Sequence, residues 1–230
     1  MKATIVGRLN LPEPSATVLI HGADLWIYGH QSRELRRFSG HREGSLRAAA
    51  PLQVQTPAKH GVSLSWDGAN VLVADQVTRT VCRVDPNSGQ QALVMDPQSL
   101  EFGAYDIALR GEATTIGDIA WHDGILYVSV QAGYSSAIYG IDVEHKRVVS
   151  HRFAPGPQPC GLDFDPRDSS MFTLDHRNRE LRRYDAQGTM EIADLPVDLV
   201  DPQGLSFDSN RGLWCSDQAS ADLVHLNVEA

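Results

Sequence analysis

The sequence has few cysteines and no long hydrophobic run. Its three cysteines are Cys82, Cys160 and Cys215, and none belongs to a Cys-x-x-Cys pair. This pattern argues against a disulfide framework and favours a reducing compartment. No apolar stretch approaches the roughly 20 residues that a membrane span needs, and the first residues show no secretory signal. We therefore expect a cytoplasmic protein that does not enter a membrane.

Basic segments and helical patterns are also missing. The 20 Lys and Arg residues are outnumbered by 29 Asp and Glu residues, which gives a net charge of −9. A nucleic-acid-binding protein normally carries a basic surface, so no nucleic-acid partner is expected. No stretch of about a dozen residues shows the 3.6-residue periodicity of an amphipathic helix. The chain is therefore expected to be all-β.

An internal repeat is the strongest positive feature of the sequence. Short runs of β-branched and aromatic residues alternate with Asp-Gly, Asn-Ser-Gly and Gln-Gly turns, which is typical of consecutive β-strands. The copies begin 43 or 44 residues apart, except for one step of 56, and their first residues are Thr17, Gly61, Gly117, Gly161 and Gly204. Four short strands per copy make one propeller blade. The repeat predicts a single β-propeller domain over residues 1–230, with five four-stranded blades; six blades are the alternative.

The two ends of the chain complement each other. The last copy has 27 residues and lacks a fourth strand, while the 16 residues before Thr17 contain one strand-like run at 3–6. Together they make one repeat, so residues 2–8 are predicted to complete the last blade beside residues 223–228 and to remove an open edge. The 56-residue step predicts an insertion at 95–115, between blades 2 and 3, of which part overhangs the mouth of the ring.

One copy resembles a known superfamily. The run Pro202-Gln-Gly-Leu-Ser-Phe-Asp208, followed by Leu213-Trp-Cys-Ser-Asp217, resembles the repeats of NHL and SMP-30 (gluconolactonase-like) β-propellers. That resemblance implies either a hydrolase or lyase acting on small molecules, or a non-catalytic NHL-type scaffold for protein partners. Proteins of this group usually have six blades, and SMP-30-like enzymes hold a metal through a Glu in a Glu-Gly-Pro context. Glu13 lies instead in Pro12-Glu13-Pro14, so no metal ligand is carried over.

Polar residues recur where each blade's second strand ends. The loops leaving second strands and entering first strands lie on one face, around the central opening, where rings most often bind ligands. The predicted ligand-binding residues at this mouth are His30, His60, Gln76, Gln131, His176, Gln203 and Gln218. The alternative is that these side chains hydrogen-bond to one another and only join the blades. Asp75, Asp175 and Asp217 end second strands and are interpreted as turn-forming residues.

Two chemistries are compatible with these positions. Cys160 and His176 belong to adjacent loops of one blade, and an imidazole can activate a thiolate nucleophile; the alternative is a buried core cysteine. His30, His60 and His176 could bind a divalent metal, although no closely spaced ligand pair supports this. The sequence thus favours a small-molecule-binding propeller with a polar mouth over a protein-interaction scaffold. Whether it is an enzyme, and which cofactor it uses, stay open.

Overall fold

A computed structural model describes residues 1–50, 52–53, 62–101, 114–133, 135–154, 156–210 and 212–229. These residues form five antiparallel sheets in a ring, which confirms the predicted five-bladed β-propeller. Within them, helical structure is confined to two 3₁₀ turns, His41–Glu43 and Pro97–Ser99. None of the described helices has the length and apolar character needed to cross a membrane.

Each blade is a meander that runs from an inner strand at the axis to an outer strand at the rim. In chain order the strands are β1 (Lys2–Asn10); β2 (Leu19–His21), β3 (Asp24–Tyr28), β4 (Glu34–Ser39), β5 (Arg47–Ala48) and β6 (Leu52–Gln53) of blade 1; β7 (Val62–Trp66), β8 (Val71–Asp75), β9 (Val81–Val84) and β10 (Gln91–Met95) of blade 2; β11 (Thr114–His122), β12 (Ile125–Ala132), β13 (Ser135–Asp142) and β14 (Arg147–Phe153) of blade 3; β15 (Pro159–Phe164), β16 (Met171–Asp175), β17 (Glu180–Tyr184) and β18 (Met190–Asp194) of blade 4; and β19 (Pro202–Phe207), β20 (Leu213–Asp217) and β21 (Asp222–Glu229) of blade 5. Both β5 and β6 pair with β4, so the outer strand of blade 1 is interrupted.

The hydrophobic core lies between the blades. Strands β8, β16 and β20 are buried at every position, because each is covered by a neighbouring blade on both faces. One cluster joins Leu72 of blade 2 to Ile119 and Leu126 of blade 3, and another joins Phe172 of blade 4 to Phe207 of blade 5. Strands buried on both faces read as continuous apolar runs. That pattern explains sequences such as Val-Leu-Val-Ala in β8.

Hydrogen bonds between neighbouring inner strands close the ring at the axis. In each case a side-chain oxygen of one blade accepts a hydrogen bond from a backbone N–H of the next. The five pairs are Thr17–Leu64 (3.1 Å), Ser65–Trp121 (2.8 Å), Asp118–Leu162 (2.9 Å), Asp163–Phe207 (2.7 Å) and Ser206–Ile20 (2.8 Å). These bonds therefore prevent each blade from sliding along the ring axis relative to the next blade.

The first strand completes the last blade, as predicted. Strand β1 pairs antiparallel with β21, from Lys2 opposite Glu229 to Asn10 opposite Asp222, with an irregularity between Ile5 and Gly7. The sheet order is β1-β21-β20-β19, so β1 takes the outer position. The strand is two residues longer than the predicted 2–8. The closure protects what would otherwise be an open sheet edge.

The predicted insertion is described only in its first part. After β10 the chain forms the Pro97–Ser99 turn, and the N–H of Glu101 donates to the carbonyl of Lys146 at 2.7 Å. Lys146 belongs to the turn between β13 and β14, so this part runs along the outer edge of blade 3, away from the mouth. Residues 102–113 lie outside the described residues. The predicted overhang of the mouth stays a prediction.

Candidate functional site

The residues that follow the second strands lie on one face of the ring, which we call the mouth face. His30, Gln76, Gln131, His176 and Gln218 are all half-buried there. Backbone hydrogen bonds fix several of them against the segment entering an inner strand: His30 to Pro14 (3.1 Å), His176 to Gln158 (3.0 Å) and Gln218 to Asp201 (2.9 Å). The repeat therefore places these residues at equivalent positions along the ring axis.

The aspartates that end second strands have structural contacts. Asp175 is fully buried and accepts hydrogen bonds from the backbone N–H groups of Gln158 (2.9 Å) and Asn178 (2.7 Å). Asp217 is equally buried and accepts from Val200 (2.9 Å) and Asp201 (3.0 Å). These carboxylates hold the loops of the mouth face in place, as expected for turn-forming residues.

A three-residue cluster joins blades 4 and 5 on the mouth face. The Nδ1 atom of His176 lies 3.3 Å from Oδ1 of Asp201, and the amide nitrogen of Gln203 donates to the same oxygen at 3.0 Å. The same amide nitrogen lies 3.5 Å from Nδ1 of His176. Because an amide nitrogen only donates, Nδ1 of a neutral His176 accepts and its ring proton is on Nε2. The nearby Asp201 carboxylate stabilises the ring when it is protonated.

A second imidazole–amide pair joins blades 5 and 1. The amide nitrogen of Gln218 lies 3.4 Å from Nδ1 of His30. Since the amide nitrogen only donates, Nδ1 of His30 accepts and its ring proton is on Nε2. The two histidines thus share one tautomer, and their local sequences also match. Both contacts are long for hydrogen bonds, so they orient the rings without binding them tightly.

The other predicted mouth residues are less closely grouped. Gln131 of blade 3 donates to the carbonyl of Gly133 in its own turn at 3.5 Å, and the carbonyl of Gln76 in blade 2 accepts from the N–H of Ile116 at 3.4 Å. His60 lies outside the described residues. The structure therefore pairs His176 with Gln203 and His30 with Gln218, on the side of the mouth formed by blades 4, 5 and 1.

Cys160 is buried between blades 4 and 5. Its side chain is 6% exposed, and the thiol donates to the carbonyl of Pro202 at 3.3 Å. Burial, reinforced by the charges of neighbouring groups that include Asp118 and Asp175, raises the pKa of the Cys160 thiol well above its usual range. A protonated, buried thiol is a poor nucleophile. The catalytic pairing of Cys160 with His176 stays a sequence-based prediction that this geometry does not support.

The predicted divalent metal site also gains no geometric support. Among the residues that the structure describes, no three His, Cys, Asp or Glu side chains are grouped so as to hold a metal ion. His60, one of the three proposed imidazole ligands, is not among those residues, so the full set of His30, His60 and His176 stays a prediction.

The sequence did not reveal the roles of two acidic residues. Asp201 directly precedes β19, whereas the repeat predicts Gln203 as the residue that enters this strand. Glu13 is buried, and its carboxylate accepts hydrogen bonds from the backbone of Gln31 and Ser32, both at 2.9 Å. Burial raises the pKa of Glu13, but those hydrogen bonds and the Arg36 charge outweigh it and hold the pKa below its usual value. Glu13 therefore fixes the turn between β3 and β4 of blade 1 and is not placed to bind a metal.

A cleft of about 760 Å³ opens on the opposite face, which we call the lower face. Its walls include Arg167 and Asn210, from the turns after inner strands β15 and β19, and His41, from the turn after β4. All of these turns lie at the end of the blades remote from His30 and His176. The cleft is thus separate from the mouth and was not predicted.

Comparison with known proteins supports the fold alone. No protein-family model matches the sequence, and no curated protein matches it. Among solved structures, the chain is similar to glutaminyl cyclase from Myxococcus xanthus, with a TM-score of 0.68, 10% identity and coverage of 98% of this chain and 95% of that one. It is also similar to a catalytically inactive virginiamycin B lyase from Staphylococcus aureus with quinupristin (TM-score 0.54, 13% identity, 95% and 69% coverage) and to a chain of the nidogen/laminin complex (TM-score 0.60, 14% identity, 91% and 74% coverage). These structures include β-propeller enzymes, and the chain shares their ring architecture.

Proposed function

We propose that the protein is a small-molecule-binding β-propeller with hydrolase or lyase activity of the SMP-30-like kind, acting at the mouth between blades 4, 5 and 1. The observation that carries the proposal is the cluster of His176, Asp201 and Gln203. A carboxylate 3.3 Å from an imidazole nitrogen stabilises the protonated form of the ring. His176 would then be the general base, and Asp201 would stabilise the imidazolium that forms.

The neighbouring side chains suit a polar ligand. Gln203 and Gln218 carry amides that both donate and accept hydrogen bonds, and both are half-buried at the rim of the opening. A positioned base can remove a carbon-bound proton in an elimination or activate a water molecule for hydrolysis, and such catalysis contributes roughly 10²–10⁴-fold in rate. Glutaminyl cyclase and virginiamycin B lyase are enzymes with a similar fold. This similarity of fold is compatible with enzymatic activity at the central opening. It does not identify any catalytic residue of this chain.

The test compares three variants on two candidate substrates, glucono-δ-lactone and quinupristin, with product formation followed by mass spectrometry. We expect the wild-type protein to convert at least one of them, and His176→Gln and Asp201→Asn to lower the rate by roughly a hundredfold or more with an unchanged melting temperature. His145→Gln is the matched control, because His145 also pairs with an aspartate, Asp142 at 2.8 Å, in a turn of the lower face. No conversion by the wild-type protein would argue against the enzyme proposal.

The alternative is a non-catalytic scaffold for protein partners. Val197 and Val200 are 87% and 61% exposed in the loop between β18 and β19, directly before Asp201. Exposed aliphatic side chains next to polar ones are common at protein interfaces. This alternative predicts that His176→Gln lowers the stability of the fold and changes no activity. The melting temperatures of the same variants therefore separate the two functions.

A further inference from the structure

The cleft of the lower face has a floor of apolar side chains and a wall of charged ones. Phe172 of blade 4 and Phe207 of blade 5 meet edge to face in the floor, with ring centroids 5.1 Å apart. The cleft volume of about 760 Å³ is in the range of small-molecule sites. The cleft spreads across the end of blade 5 and reaches blade 1 at His41 and Arg42.

Each arginine in the wall is paired with an acidic side chain. Arg183 donates to Asp168 at 2.7 Å and to Glu191 at 3.1 Å. Arg42 lies 3.7 Å from the Asp208 carboxylate. Arg167 donates to Asp165 at 2.8 Å. An anionic or cationic ligand would have to compete with these pairs, and it would lose its own hydration in doing so. The wall therefore favours an uncharged ligand.

His41 supplies hydrogen-bonding capacity that the fold does not use. Its side chain lines the cleft and is 2% exposed, and neither ring nitrogen has a hydrogen-bond partner among the described residues. The backbone of Ala23 lies near the ring without forming a hydrogen bond of good geometry. Burial, together with the Arg42 charge, lowers the pKa of His41. A neutral imidazole offers one donor and one acceptor, which matches a hydroxyl group that can do both.

The surroundings of His41 are held rigidly. Trp214 makes an edge contact with His41 at 5.9 Å and stacks on His225 at 4.3 Å. Its indole N–H donates to Asp208 at 3.1 Å, which ties it to the same carboxylate that faces Arg42. A Cβ atom at Gly212 would lie 2.7 Å from the His225 ring, so this group is closely packed. A ligand that enters here meets a preformed wall, which limits the entropy lost on binding.

We propose that this cleft is a binding site for an uncharged, hydroxyl-rich organic molecule of the size of a mono- or disaccharide. Its apolar ring face would pack on the floor at Phe172 and Phe207, and one hydroxyl would pair with the His41 imidazole. The charged wall offers carboxylate and guanidinium groups for the other hydroxyls. The site is independent of the mouth and does not depend on the activity proposed there.

The test uses nuclear magnetic resonance titrations that monitor the imidazole of His41 and the indole N–H of Trp214. The neutral probes are glucose, galactose, maltose and trehalose. Glucose 6-phosphate and glucosamine are the matched charged probes, since they differ from glucose in charge and keep its ring. We expect saturable shifts of both signals with at least one neutral sugar, and binding of the charged counterparts to be weaker by roughly tenfold or more.

Two variants and one control locate the site. His41→Phe removes the ring nitrogens and keeps a planar ring, so we expect it to retain or raise the melting temperature and to weaken sugar binding by roughly tenfold or more. Asn210→Trp, at an exposed turn of the cleft, should block binding without unfolding the protein. His176→Gln, at the mouth, should leave sugar binding unchanged. The proposal is overturned if no neutral probe shifts the two signals, if the charged probes bind equally well, or if His41→Phe binds like the wild-type protein.

Discussion

The carboxylate of Asp163 in blade 4 accepts a hydrogen bond of 2.7 Å from the backbone N–H of Phe207 in blade 5. It also accepts one of 2.8 Å from the N–H of Phe164. Burial raises the pKa of Asp163 from 3.8 to about 7, although these hydrogen bonds oppose the shift. A bond that fastens two blades at the axis thus depends on a group that titrates near neutral pH.

Stability should therefore change with pH through Asp163. Its pKa is higher in the folded protein than in the unfolded chain, so between pH 3.8 and about 7 the folded state binds more protons. This contribution to the free energy of unfolding falls as pH rises through that window, by a few kcal/mol at most, and is constant above it. Asp163→Ser should flatten this part of the profile, because Ser65 and Ser206 accept the equivalent bond in other blades. Denaturation by urea at pH 5 and pH 8 measures the effect; equal pH dependence in wild type and variant would contradict it.

The contribution of Glu13 to the free energy of unfolding should have the opposite pH dependence: it should rise with pH. Its hydrogen bonds hold its pKa below 4.5, so its stabilisation is present above pH 4.5 and is lost as pH falls through the lower, folded-state pKa. Glu13→Ala should cost roughly 1–3 kcal/mol at pH 7, because two buried backbone N–H groups lose their acceptor. Glu43→Ala is a suitable control, since Glu43 pairs with Arg47 at an exposed site. Chemical denaturation of both variants is the measurement, and equal stability loss would refute the assigned role.

The two mouth histidines should share one tautomer. We expect both neutral rings to carry the proton on Nε2, because Gln203 donates to Nδ1 of His176 and Gln218 donates to Nδ1 of His30. Long-range ¹H–¹⁵N correlation spectra distinguish the two tautomers above pH 8. Asp201→Asn, which removes the carboxylate that orients Gln203, should change the spectrum of His176 and leave that of His30 as it is. A proton on Nδ1 of neutral His176 in the wild-type protein would rule out this arrangement.

Removal of the first strand should open the ring. Deleting residues 1–10 removes the outer strand of blade 5, which pairs with β21 along its whole length. The apolar side chains of Ala3 and Leu11 are buried by this arrangement. We expect a loss of several kcal/mol and a tendency to aggregate through the exposed edge of β21. Thermal denaturation and light scattering test this; Val6→Thr, at an exposed position of the same strand, should have little effect.

Most of the fold could be predicted from the sequence because the turn chemistry repeats. The Asp-Gly pair at Asp123 and Gly124 has positive φ angles of 49° and 80°, as a tight hairpin requires. The bonds between inner strands were harder to foresee. In blades 2, 4 and 5 the acceptor directly precedes the aromatic residue that ends the inner strand, whereas Thr17 lies before β2 and Asp118 lies in the middle of β11. The acceptors therefore occupy no single position of the repeat.

The candidate site was predictable in position and less so in detail. The repeat period places His30 and His176 at one face, but the contacts they make depend on side-chain directions and on loop residues between repeats. Asp201 lies in such a loop, held by Arg179, which donates to the carbonyls of Pro196 and Leu199. The cleft at His41 depends on how three blades meet at the lower face, and repeat alignment carries no information about that.

The pairing of β1 with β21 also sets the order in which the molecule can be assembled. Asn10 and Asp222 hydrogen-bond across 212 positions of the chain. During synthesis β1 emerges before every other described strand, yet its partner strand emerges only after four complete blades. Contacts of such long sequence separation form slowly, because the loop must close before the contact stabilises it. Ring closure is therefore expected to be a late step of folding, and β1 waits longer for its partner than any other described strand.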